Sequence, residues 1–201
     1  MVKKPNLSTN ELVRLSVFVA LIIIQSWVPM LGYINIPPLA ITYIHVTVIV
    51  ATLWLGVKQG MLVGAAWGLN SWLKAILAPV SPINTLVLSS PLVSVLPRIL
   101  MPLILGTIVY YLKQKQVNSK LVGLTAGVLG SWLNTFLVLG AIVIFKQQAY
   151  MDIKSISDQA TLWQVLGGII ATNGVFESIA AGIITPILYT VTLQFDKRKR
   201  S

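Results

Sequence analysis

The chain has 201 residues, of which 56% are hydrophobic and only 10% charged, and it carries a formal net charge of +10. A water-soluble domain of this size carries about a quarter charged residues. Too few polar groups are present here to cover a water-facing surface, so lipid must cover part of it. The positive balance does not point to nucleic acid, because the basic residues gather at the ends of hydrophobic segments and not on one polar face. With no cysteine, a disulfide framework and a thiolate metal site are both excluded.

A helix needs roughly 20 apolar residues to cross a bilayer, and six stretches qualify as candidates. Residues 1–10 are polar and basic and lead into a long apolar run with no small-residue cleavage site. The first segment, about Leu12 to Leu31, is therefore expected to be a retained helix and not a cleaved signal. The others are about Ile41 to Val57, Gly60 to Leu77, Pro91 to Leu112, Leu121 to Phe145 and Leu162 to Leu193. The runs are continuous and do not alternate, so helices are expected and not the strands of a barrel. These segments predict an all-α integral membrane protein of six transmembrane helices, folded as a single domain over residues 1–201.

Six crossings put both termini on one side. With the termini in the cytoplasm, eleven of the 15 basic residues lie inside: Lys3, Lys4, Arg14, Lys58, Lys113, Lys115, Lys120, Lys197, Arg198, Lys199 and Arg200. Lys74, Arg98, Lys146 and Lys154 fall outside or in the outer half. This bias sets the orientation, and the terminal Lys-Arg run is expected to anchor at anionic lipid heads. The segments from Gly32 to Tyr43, Ala78 to Ser90 and Lys146 to Thr161 then become outer loops. Gly56, Gly60, Gly64 and Gly68, with Gly123 and Gly127, have the spacing that lets helices approach closely in lipid. Pro97, Pro102 and Pro186 are expected to kink their helices, and Pro97 to free a backbone carbonyl beside Arg98.

Polar groups inside a membrane are costly, and each is a candidate for function. His45, Asn70, Lys74, Arg98, Asn134, Asn173 and Glu177 qualify, and all but Glu177 fall in the outer half. Arg98 lies about 10 Å below the outer end of its segment and Asn134 about 16 Å, at 1.5 Å per residue. Such a slab implies a pocket open to the outside. Arg98 offers a fork of donors suited to a carboxylate. The asparagines donate and accept, which suits amides and hydroxyls, and Trp67, Trp72, Trp132 and Trp163 offer apolar walls. Each residue also has a structural reading: an Arg98–Glu177 ion pair joined by Asn173, an interhelical bond at Asn134, a snorkelling Lys74 and a capping His45. No Walker A sequence, HExxH, His/Cys cluster or GxSxG is present, so nucleotide binding, zinc catalysis and Ser-His-Asp hydrolysis lack support. No cofactor is expected.

The stretches Ile41-Thr42-Tyr43-Ile44-His45, Leu55-Gly56-Val57-Lys58-Gln59-Gly60 and Ser90-Pro91-Leu92-Val93-Ser94-Val95-Leu96-Pro97-Arg98-Ile99-Leu100 resemble the pantothenate branch of the S-components of energy-coupling factor (ECF) vitamin transporters. Ser90 stands where that branch has Asn. The resemblance covers nearly the whole chain. It implies a substrate-binding subunit that captures a vitamin, most directly pantothenate, with no enzymatic activity of its own. Its implied partners are a transmembrane coupling protein and two ATPases, with toppling in the membrane as the delivery step. An Ala-xxx-Ala docking surface on the first helix maps to Ser16 and Ala20, with Ser for the first Ala. The same fold serves another small vitamin, of pyridoxine or hydroxymethylpyrimidine type, as an alternative reading, and a ligand-free scaffold subunit is a third.

Overall fold

A computed structural model describes residues 8–36 and 39–198. Lys3, Lys4, Lys199, Arg200 and the Pro37-Pro38 pair lie outside the described residues. In chain order come α1 (Thr9–Trp27), β1 (Tyr33–Ile36), β2 (Leu39–Thr42), α2 (Ile44–Leu55), α3 (Val57–Leu77), α4 (Pro91–Ser94), α5 (Leu96–Gln114), α6 (Ser119–Lys154), α7 (Gln159–Ile169) and α8 (Val175–Arg198). π-helical turns at Asn84–Leu88 and Ile170–Gly174 precede α4 and α8. The result is a helical membrane protein whose six expected segments map onto α1, α2, α3, α4–α5, α6 and α7–α8. Four helical stretches are long and apolar enough to cross a membrane: Thr9–Trp27, Pro91–Gln114, Ser119–Lys154 and Gln159–Asp196. α2 has 12 residues, about 18 Å at 1.5 Å each. α3 has 21, but Lys58, Gln59, Asn70 and Lys74 dilute its apolar character.

Several helices start or stop for a local reason. Ser8 and Glu11 form a capping box at the start of α1, which satisfies amides that have no intrahelical acceptor. Gly56, at φ 97°, makes the reversal between α2 and α3 in a conformation that side chains with a Cβ resist. Asn118 caps α6, accepting from the Lys120 amide at 2.9 Å. Asp158 caps α7, and the Thr161 hydroxyl and amide hold its carboxyl below the usual carboxylate range.

The glycine stripes close the bundle on itself. A methyl at Gly60 would overlap Thr52 of α2, and one at Gly64 would overlap the Arg98 carbonyl of α5. That carbonyl lacks a helical donor because Pro102, four residues on, has no N–H. Gly68 faces the backbone of Ser94 and Val95, where α4 gives way to α5. Gly123 and Gly127 seat α6 against Pro186 and Ala181 of α8. The main core fills this bundle, with Ile22, Ile49, Leu53, Val63, Trp67, Met101, Leu105 and Ala181 all buried.

All three expected loops hold regular structure, Ala78 to Ser90 in the π-helical turn at Asn84–Leu88. Gly32 to Tyr43 contains an antiparallel hairpin pairing Tyr33 with Thr42 and Ile36 with Leu39. Lys146 to Thr161 is helical for much of its length, because α6 runs on to Lys154 past a break at Lys146 (φ −141°, ψ 22°). The polar Lys146-Gln147-Gln148 run ends the hydropathy signal but not the helix. Beyond it Gln148 donates to Asp152 at 2.8 Å, and Tyr150 and Met151 are buried. These two residues join Val87, Val93, Ile142, Ile156, Leu162 and Leu166 in a second, smaller core. That core caps the hairpin end of the bundle. At the opposite end Arg14, near the start of α1, pairs with Asp196 of α8 at 2.7 Å. The Trp54 indole of α2 donates to the same carboxylate at 2.8 Å.

Candidate functional site

The break between α4 and α5 sets the position of Arg98. Pro97 lacks an amide, so the Val93 carbonyl four residues earlier has no helical donor. The Arg98 guanidinium takes that acceptor, with Nη1 donating at 2.6 Å, and this is the freed carbonyl expected from the sequence. The guanidinium also lies over the Trp67 ring, 5.1 Å from its centroid, and the Trp67 indole donates to the Tyr33 hydroxyl of β1 at 3.4 Å. Arg98 is 9% exposed. Its Nε has no hydrogen-bond partner, and among the described residues no carboxylate forms an ion pair with it.

The helix register brings further polar groups to this depth. A Cβ at Gly130 on α6 would meet Ile49 of α2 at 2.5 Å and Leu105 of α5 at 3.1 Å. These three positions therefore share one level. One turn toward the hairpin end, about 6 Å, lie Asn134 on α6 and His45 on α2. Two turns along α5 lies Arg98. His45 is fully buried and Asn134 is 5% exposed. Neither ring nitrogen of His45 closes a well-formed hydrogen bond, although the Thr42 backbone lies beside it. Asn134 Oδ1 and the buried Ser131 hydroxyl also lack partners. Buried polar groups in proteins are almost always paired, so several orphaned atoms in one stretch of the bundle mark a place suited to a polar molecule.

Asn70 and Lys74 share a face of α3, as their i, i+4 spacing implies, and that face meets the end of α1. Asn70 Oδ1 accepts from the Trp27 indole at 2.9 Å, and Lys74 Nζ donates to the Ser26 carbonyl at 2.5 Å. The ammonium stands 5.7 Å from the Trp27 ring and 5.6 Å from the Tyr33 ring. Lys74 thus caps the last turn of α1 and touches the hairpin in one position.

Glu177 lies on the other flank of the hairpin. It is 6% exposed, and its Oε1 accepts from the Thr42 amide at 2.7 Å. Asn173 sits in the π-helical turn just before α8, a turn that packs on β2. Arg98 and Glu177 are therefore engaged by different parts of the chain, one by Val93 and Trp67 and the other by the end of β2. Of the four tryptophans proposed as walls, Trp67 is buried beside Arg98, while Trp163 is 60% exposed. Trp132 stacks on Phe136 at 5.5 Å, and Trp72 donates to the Ser89 carbonyl at 2.8 Å. Tyr33, Thr42 and Ser131 escape a reading of the sequence. Tyr33 lies in an expected loop, Thr42 at the start of a segment read as helix but ending β2, and a serine beside Gly130 reads as a small packing residue. Ser16 and Ala20 are exposed on α1, among Leu12, Val13, Val17 and Ile24, also exposed.

Apolar helices around a buried polar level, closed at one end by a hairpin and a helical cap, define a multi-pass helical membrane protein. A family model described as ECF transporter, substrate-specific component, matches residues 10–189, and the chain belongs to that family. It is thus a transporter subunit of the cell membrane and not an enzyme. The chain is 30% identical over 199 residues to a protein of Leuconostoc mesenteroides subsp. mesenteroides named pantothenate transporter PanT, covering 96% of this chain and 97% of that one. It is 28% identical over 191 residues to the pantothenic acid transporter PanT of Lactococcus lactis subsp. cremoris, covering 88% and 90%.

Proposed function

We propose that this chain captures pantothenate from outside the cell as the substrate-binding subunit of an ECF-type importer. The observation that carries the reading is Arg98, a guanidinium buried among apolar helices with no carboxylate partner among the described residues. An uncompensated cation is expensive to bury. A carboxylate ligand offsets that cost with two parallel charged hydrogen bonds, for which the guanidinium fork is shaped. Pantothenate has one carboxylate, one amide and two hydroxyl groups. His45, Asn134 and Ser131 supply donors and acceptors for the neutral groups, with Asn70, Lys74, Asn173 and Glu177 toward the hairpin. The names of the two relatives support the same ligand.

In this reading the chain is one domain that crosses the membrane six times with both termini in the cytoplasm. The Arg14–Asp196 pair supports an even number of crossings, because it brings the beginning of α1 to the end of α8. Lys58, Lys113, Lys115 and Lys120 fall at the same end, as the positive-inside rule requires. The exposed Ser16–Ala20 face docks on a transmembrane coupling protein driven by two ATPases, and the loaded subunit topples to release the vitamin inward. Equilibrium binding to the purified chain, with pantothenate, pyridoxine and thiamine side by side, tests the ligand. Tight binding of pantothenate alone is expected. Binding of a control vitamin in its place refutes the substrate and keeps the family, and no binding to folded protein refutes the pocket.

A further inference from the structure

A groove of about 790 Å³ opens between α6 and α8 at the end of the bundle that holds the termini, far from the polar level. Its size falls in the range of small-molecule sites, roughly 300–1,000 Å³. Its walls are Leu121 and Leu124 on α6 and Pro186, Ile187 and Val191 on α8, with Lys120 at the mouth. The floor is closed by backbone contact, since a Cβ at Gly123 would stand 2.6 Å from the Pro186 Cα. Thr190, also on the wall, turns its hydroxyl back to the Pro186 carbonyl at 2.7 Å, so its polar atom is spent inside the helix and the wall stays apolar. Leu121, Leu124, Ile187 and Val191 are all more than 40% exposed.

We propose that this groove binds one anionic phospholipid, an acyl chain lying along Leu124 and Ile187 and the headgroup phosphate at Lys120. Charge complementarity argues for that occupant. Lys120 is exposed and has no acidic partner among the described residues. It stands in the first turn of α6, where the positive end of the helix adds to its field, and Asn118 fixes that turn. Basic positions between membrane helices are where lipid head groups bind, and a cation above an apolar trough matches both parts of such a molecule. The site is separate from the vitamin site and stands whether or not pantothenate is the substrate.

Native mass spectrometry of the purified full chain, titrated with phosphatidylglycerol or phosphatidylcholine, tests this. One retained phosphatidylglycerol is expected, held in preference to phosphatidylcholine. Lys120→Gln should weaken its binding about fivefold, the effect of one basic residue near a membrane surface. Leu124→Trp, which fills the groove, should abolish retention. Lys58→Gln, at the turn between α2 and α3, should leave it unchanged. Equal retention of the two lipids overturns the proposal, as does an equal loss in Lys58→Gln, which would mean diffuse attraction. A Leu124→Cys cross-link to a protein subunit of the assembled transporter, with no lipid preference, would give the groove to a partner helix and overturn it too.

Discussion

Gly68 lies where α3 crosses the break between α4 and α5, and replacing it with alanine is a direct test of how Arg98 is held. The new methyl carbon would stand 2.7 Å from the Val95 Cα and 2.9 Å from the Ser94 carbonyl oxygen. Ordinary contact begins near 3.4 Å, so α3 must withdraw by about 0.7 Å. Both obstacles are backbone atoms, and no side-chain rotation relieves the clash. Overpacking of this kind costs about 1–3 kcal/mol. Gly140→Ala is the matched control, since nothing lies within 4 Å of a methyl there, and its stability should change by less than about 1 kcal/mol. Reversible unfolding of both variants in mixed micelles should therefore show Gly68→Ala weaker by about 1–3 kcal/mol. Its pantothenate affinity should fall as well, because Trp67 on α3 would move off the guanidinium. Equal stability of the two variants, with unaltered affinity, would refute the packing of α3 on the α4–α5 break.

Substitutions at three further residues separate the roles assigned above. Arg98→Gln should weaken pantothenate binding by more than tenfold in calorimetry, since a charged hydrogen bond contributes about 1.5–3 kcal/mol; unchanged affinity in folded protein would end its carboxylate role. Glu177→Gln keeps an acceptor for the Thr42 amide but removes the charge, so binding should weaken less than threefold, whereas Glu177→Ala should release the end of the hairpin and raise hydrogen exchange at Thr42 and Tyr43. Protection equal to that of the parent chain would show that Glu177 does not hold β2. Ala20→Leu should abolish uptake in cells and copurification with the coupling protein while leaving pantothenate binding intact, and normal copurification would remove α1 as the docking face.

The helical character of the chain is legible in hydropathy because a bilayer demands long apolar runs. The glycine stripes are equally plain, since close helix approach in lipid leaves a spacing of four. The carbonyl freed beside Arg98 follows from Pro97 alone. The hairpin does not announce itself, because its strands are four residues each and the residues that meet its ends, Trp67 at Tyr33 and Glu177 at Thr42, are distant in the chain. The extension of α6 to Lys154 is hidden for a different reason. Lys146-Gln147-Gln148 ends the membrane signal, whereas the helix beyond it is sustained by burial of Tyr150 and Met151 in a core that sequence periodicity cannot locate. Placing Ser131 near the depth of His45 and Asn134 likewise needs the register of three helices.

The fastening of α1 at both ends has a mechanical consequence. Most of this helix faces outward, yet Arg14 ties its beginning to Asp196, and Lys74 and Asn70 grip its last turn through Ser26 and Trp27. A rod held at two points some 12 residues apart, about 18 Å at 1.5 Å each, resists swivelling away from the body it is held to. A force applied sideways to its exposed middle, where Ser16 and Ala20 lie, becomes a torque on the whole bundle. In the proposed reading α1 is a handle, and a partner that grasps it would rotate the buried polar level around Arg98 without needing to touch it.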